Sequence, residues 1–160
     1  MMKNKTFWVC IVFWIIFTLL RTIFHQPWSD EATAWEFARD FEWGSILESL
    51  KYEGHFFVWY LILLPFAKLN LGYPYSMLML NWAFCFGAIL LLWKYAKFNN
   101  FIKVAIIFSF PFLAYYPVVA RCYSIGILLL FLLCAMYKDR LKHPIVYASI
   151  VFVCANTSLM

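Results

Sequence analysis

The sequence predicts an all-α fold, a polytopic bundle of transmembrane helices with an outer-face loop of amphipathic juxtamembrane helices, and three observations carry that expectation. The chain of 160 residues is 66% hydrophobic and 13% charged, against about 45–50% apolar and about 25% charged in soluble domains. Its apolar residues come in blocks of bilayer length, not in the alternating or one-faced patterns of soluble strands and helices. Its basic residues stand in ones and threes at the ends of those blocks, as topology signals do.

Taken in order, Lys3 and Lys5 precede a first span at 6–23. That block carries Trp8, Trp14 and several Phe and is followed by no small-residue cleavage site, so it reads as a retained signal anchor. An outer loop at 24–74 follows. Within it Asp30 and Glu31 suit the first turn of a helix capped by Ser29, and Trp35, Ala38 and Phe41 recur at helical spacing opposite Glu36, Arg39 and Asp40. This describes an amphipathic helix in the membrane interface, with Trp28, Trp35 and Trp43 at the headgroup level. The block 56–71 is interrupted by Pro65 and Lys68 and is short for a span of about 20 residues, so it is expected as a juxtamembrane helix. Further spans are expected at 75–93, 101–116, 118–137 and 145–160. The last runs to the end of the chain, so residues 1–160 read as a single membrane domain, the N-terminal part of a longer one.

Charge decides whether 56–71 crosses. If it does not, Lys3, Lys5, Lys94, Lys97, Lys103, Lys138, Arg140 and Lys142 all face the cytoplasm. If it does, the inside keeps only Lys3, Lys5, Lys68 and Arg121, against the positive-inside rule. The non-crossing arrangement also gathers Asp30, Glu31, Glu36, Asp40, Glu42, Glu48 and Glu53 on the outer side of a cell-membrane protein whose N-terminus is cytoplasmic. The net charge of +5 forms no contiguous stripe, which excludes a nucleic-acid partner and leaves membrane lipid as the expected one. The cysteines Cys10, Cys85, Cys122, Cys134 and Cys154 show no CxxC spacing and read as small hydrophobes, with neither disulfide nor zinc knuckle expected.

Four groups can carry chemistry. Asp30 and Glu31, just beyond the first span, can orient a base, bind a cation or bind a hydroxylated substrate, or can simply be a solvated helix start. Glu53 and His55 flank Gly54 and could complete a divalent-metal site with Asp30 or Glu31, or form a hydrogen-bonded surface pair. Arg121, after the run Tyr115-Tyr116-Pro117, can hold a phosphate through paired donors or snorkel to headgroups. Asn156-Thr157-Ser158 matches a glycosylation pattern inside an apolar run and carries no weight.

Three segments in this order, Trp28-Ser29-Asp30-Glu31-Ala32, Glu53-Gly54-His55-Phe56-Phe57-Val58-Trp59-Tyr60 and Ala120-Arg121-Cys122-Tyr123, resemble the N-terminal third of the GT-C superfamily of polyprenyl-phosphate-sugar-dependent glycosyltransferases. The likeness is to the bacterial relatives of protein O-mannosyltransferases and of the lipid A aminoarabinose transferase. Phe56-Phe57 departs from the family's two prolines, and Ser158 stands where relatives carry His after Asn-Thr. The resemblance implies transfer of a sugar from a polyprenyl-phosphate donor to an acceptor hydroxyl, with inversion. It implies Asp30 as the catalytic carboxylate with Glu31 beside it, and Glu53, His55, Arg121 and Tyr123 as substrate-binding residues. No cofactor is implied with certainty, and a divalent metal is left open. A transporter or flippase-like protein is the rival class, since the same acidic loop could gate a solute, although the expected spans are almost free of charge within the bilayer. A nonfunctional fragment is a third.

The topology is tested by single cysteines placed at Asn99 or Ser49 in a cysteine-free background and treated with an impermeant reagent in intact cells. Labelling is expected at position 49 and protection at 99, and the reverse pattern would overturn the arrangement.

Overall fold

The structure, a computed structural model, describes residues 5–40, 42 and 57–157. Among the described residues every regular element is helical: α1 (Lys5–Ile23), α2 (Ser29–Arg39), α3 (Val58–Lys68), α4 (Tyr75–Tyr95), α5 (Asn100–Ile107), a π-helical turn (Pro111–Tyr115), α6 (Tyr123–Met136), a 3-10 turn (Tyr137–Asp139) and α7 (Pro144–Ala155). Two of them, α1 and α4, are long and apolar enough to cross a bilayer. At 1.5 Å per residue they measure about 28 Å and about 31 Å, beside a hydrocarbon core of about 30 Å.

Helix α1 has two apolar faces. Phe7, Ile11, Trp14, Thr18 and Thr22 fall on one side and are buried, while Val9, Phe13, Ile16 and Leu20 fall on the other and are each more than half exposed. A helix on the surface of a water-soluble bundle would carry polar side chains on that second face. On the inner face α1 runs antiparallel to α4. The Phe7 ring lies 5.0 Å from Trp93 at one end, and Trp14 stacks on Trp82 at 5.6 Å further along. Two polar side chains at this contact are satisfied in sequence: Trp82 Nε1 donates to Thr18 Oγ1 at 2.9 Å, and Thr18 Oγ1 donates to the Trp14 carbonyl at 2.8 Å. A buried donor left unpaired would offset much of what the aromatic packing contributes.

Three expected spans are shorter as helices than their apolar blocks: 101–116, 118–137 and 145–160, whose helix ends at Ala155. The block 101–116 holds α5, begun by Asn99, whose side chain accepts from the Ile102 amide at 2.9 Å. It breaks at Phe108 and Ser109, because Pro111 has no amide to continue the ladder, and resumes as a π-helical turn closed by Tyr116 N to Pro111 O at 2.8 Å. The widened turn leaves the Phe112 carbonyl to accept from Trp14 Nε1 at 2.8 Å. In the block 118–137 the helix starts only at Tyr123, since Pro117 ends the π turn and residues 116–122 cross over before α6 can begin. Helix α7 opens with Pro144 at its first position, where the missing amide costs nothing.

The bundle therefore has two distinct ends. At the basic end lie the start of α1, the end of α4, Lys103 (whose ammonium donates to the Trp93 carbonyl at 2.9 Å) and the α6–α7 turn. At the other end lie the end of α1, the 116–122 crossing and the start of α4. Helices α2 and α3 pack there on each other and on Met77, Leu78, Ala120 and Cys122. With 11 residues, α3 reaches only about 16 Å. Asn70 and Gly72, both at positive φ (50° and 59°), turn the chain from α3 into α4. Cys85 and Cys122 are buried as small apolar side chains, whereas Cys134 is exposed on α6.

Trp14→Phe keeps a ring in the stack but leaves the Phe112 carbonyl without its donor. Unfolding of the purified chain in detergent should show a loss of about 1–3 kcal/mol, and a wild-type midpoint would contradict the assigned role of this bond.

Candidate functional site

The end opposite Lys94, Lys103 and Lys142 is organised by the start of α2. The cap is Trp28, with extended backbone (φ −72°, ψ 165°), and not Ser29 as the sequence reading expected. The reason lies three residues on: Glu31 reaches back and accepts from the Trp28 amide at 2.7 Å, the carboxylate half of a capping box. Ser29 is already helical, and its hydroxyl lies 3.4 Å from Asp30 Oδ1.

Glu31 does more than cap. Its side chain is fully buried, and its other oxygen accepts from the Ala120 amide at 2.6 Å, 89 residues along the chain. His25 Nε2 stands 2.8 Å from Oε2. Two backbone amides and an imidazole thus converge on one carboxylate, which joins the end of α1, the start of α2 and the 116–122 crossing. Three side chains fix that crossing from below: Asn81 Nδ2 and Ser124 Oγ donate to the Tyr116 carbonyl at 2.8 Å and 2.7 Å, and Thr22 Oγ1 donates to the Pro117 carbonyl at 3.3 Å.

This frame presents Asp30 and Arg121 to each other. Arg121 NH1 lies 3.1 Å from Asp30 Oδ2, with the aspartate side chain 56% exposed and the arginine 20%. The Arg121 guanidinium also sits 5.6 Å from the centre of the Tyr123 ring, which in turn stacks on Tyr115 at 6.0 Å. The neighbouring Tyr73, 5.3 Å from Trp35, has its phenol pKa pushed above the ordinary value by partial burial and then by the Glu31 and Glu36 carboxylates. At the far end of α2, Arg39 grips Asp40 through Nε and NH2, both at 2.8 Å, which holds that carboxyl below its usual range.

Of the residues singled out by sequence, Asp30, Glu31, Arg121 and Tyr123 come together here. Glu53 and His55 lie outside the described residues, as do Phe41, Trp43 and Ser158. Among the described residues no group of three or more His, Cys, Asp or Glu side chains is placed to hold a metal ion. The sequence reading missed His25, Thr22 and Asn81. His25 carried one signal, as the first polar residue after the first span and ahead of Pro27, but its six-residue separation from Glu31 follows no helical period. The Ala120 amide carried none, since a backbone donor is invisible in side-chain pattern.

Two carboxylates side by side in sequence therefore differ physically, and their substitutions should separate. Glu31→Gln turns an amide toward inward-pointing donors and should cost about 3 kcal/mol of stability, whereas Asp30→Asn at the exposed ion pair should cost about 0–1 kcal/mol. Chemical unfolding of both variants checks the order, and equal losses would contradict it. Comparison of the chain with family models, with curated proteins and with solved structures finds no match to any of them.

Proposed function

We propose that this chain is a membrane glycosyltransferase domain of GT-C type, moving a sugar from a polyprenyl phosphate to an acceptor hydroxyl at the outer face of the cell membrane. The ion pair of Asp30 with Arg121 is the observation that carries the reading. It sets a carboxylate able to take a proton beside a guanidinium able to take a phosphate, at the end of an apolar bundle where a lipid-linked phosphate would lie. The membrane setting is supported by the apolar outward stripe of α1 and by Lys94, Lys103, Lys138 and Lys142, which lie at the opposite end of the bundle.

In this mechanism the donor's phosphate competes for Arg121 and draws the guanidinium off Asp30. Asp30 then accepts the proton of the acceptor hydroxyl as its oxygen bonds to the anomeric carbon. The bond from that carbon to the phosphate oxygen breaks, and polyprenyl phosphate departs with the electron pair against Arg121. The attack comes from the face opposite the phosphate, which inverts the anomeric centre. Tyr123 positions Arg121 through its ring, and Glu31 positions Asp30 through the helix start it caps. Glu53 and His55 enter as further substrate contacts through the family resemblance alone. A transporter finds less support: among the described residues the buried charged side chains, Glu31 and Lys103, sit at the ends of the bundle and not midway.

The test is sugar release from a polyprenyl-phosphate donor by the protein in liposomes, with donor binding measured separately. Asp30→Asn should lower the rate about 10²–10⁴-fold with donor still bound. Arg121→Lys, which loses the planar fork, should weaken donor binding. Wild-type turnover in the first and wild-type affinity in the second would remove both residues from the mechanism.

A further inference from the structure

The end of the bundle away from Asp30 holds a second feature that the proposed transfer does not use. Where α4 leaves for the 96–99 loop, its last turns and the end of α6 border an open apolar groove of about 320 Å³, lined by Leu91, Tyr95, Ala96, Phe98, Phe131 and Cys134. Its size falls at the lower end of small-ligand sites, about 300–1,000 Å³. The walls offer an occupant almost no hydrogen-bonding partner, so whatever lies there is apolar along that length.

The mouth is different. Lys94 holds its ammonium 4.9 Å from the centre of the Tyr95 ring, itself one wall of the groove, and Lys97 stands between the lining residues Ala96 and Phe98. Lys138 follows the lining residue Ala135 after the last turn of α6. Three further cations at this end are engaged: Lys103 on the Trp93 carbonyl, Lys142 on Asp139, and Arg140 on the Tyr137 carbonyl and ring. Asp139 is the single acidic residue of the segment 94–142, and Lys94, Lys97 and Lys138 form no ion pair among the described residues.

We propose that the α4–α6 groove binds an anionic diacyl phospholipid of the inner leaflet, one acyl chain lying between Tyr95 and Phe131 and the phosphate meeting Lys94, Lys97 and Lys138. A zwitterionic phospholipid would fill the groove as well but would bring no net charge to the three ammonium groups, so the selectivity resides in the mouth. This inference rests on the membrane setting proposed above and not on the sugar transfer.

The experiment uses the chain in phosphatidylcholine nanodiscs doped with phosphatidylglycerol carrying a photoactivatable group on its acyl chain, or with phosphatidylcholine carrying the same group. Phosphatidylglycerol label is expected to concentrate severalfold over phosphatidylcholine label on peptides spanning 91–98 and 131–135. Lys94→Gln and Lys97→Gln should each reduce that excess, and Lys142→Gln, whose lysine is already held by Asp139, should leave it unchanged. Equal labelling by the two probes would overturn the proposal, as would label spread evenly over the outward face of α1. Protein–protein cross-links filling the groove in place of lipid would overturn it too, by showing that a second copy covers it. A chain that never enters the nanodiscs would overturn it together with the membrane setting, a result separate from the others.

Discussion

The buried carboxylate of Glu31 is the constraint on which the arrangement of this end of the molecule depends. A carboxylate removed from water is costly unless donors surround it, and here the donors come from parts of the chain that have no other reason to meet. The Trp28 amide is an orphan of the helix start, the Ala120 amide belongs to the crossing after Pro117, and His25 follows the end of α1. Each of these groups would itself be stranded without Glu31. The interaction is mutual, which is why one residue can fix the register of three segments.

From that fixed point the rest follows by adjacency. Asp30 precedes Glu31 on the first turn of α2 and Arg121 follows Ala120, so clamping Glu31 to the Ala120 amide brings the two exposed charges within 3.1 Å. The crossing can hold its irregular backbone because Asn81, Ser124 and Thr22 donate to its carbonyls. Irregular backbone at this depth needs such partners, and helices α1, α4 and α6 each supply one. Below, the stack of Trp14, Trp82 and Phe86 sets the spacing of α1 and α4 and hands Trp14 Nε1 to the Phe112 carbonyl freed by the π turn.

How much of this was legible in the sequence differs by level. Apolar block length located α1 and α4 within two residues, because a long unbroken hydrophobic run has few competing readings. It overstated the helices in 101–116 and 118–137, since hydropathy does not register that Pro111 and Pro117 interrupt the amide ladder. Charge bias led to the expectation that 56–71 does not cross, and α3 packs on α2 and on Met77, Leu78, Ala120 and Cys122. At the site, side-chain type picked out Asp30, Glu31 and Arg121 but gave the two carboxylates similar standing. What separates them is burial and the company of backbone amides, neither of which is written in residue identity. His25 went unrecognised for the same reason: its partner is set by a turn, not by a period.

Hydrogen–deuterium exchange at the Trp28 and Ala120 amides, followed by NMR in detergent micelles, bears most directly on the claim that Glu31 holds this end together. Both lie outside regular helix and would exchange rapidly if they met only solvent. Both should be protected in the wild-type chain, and both should lose protection together in Glu31→Gln while amides midway along α4 keep theirs. Fast exchange at either amide in the wild type, or protection unchanged in Glu31→Gln, would contradict the account.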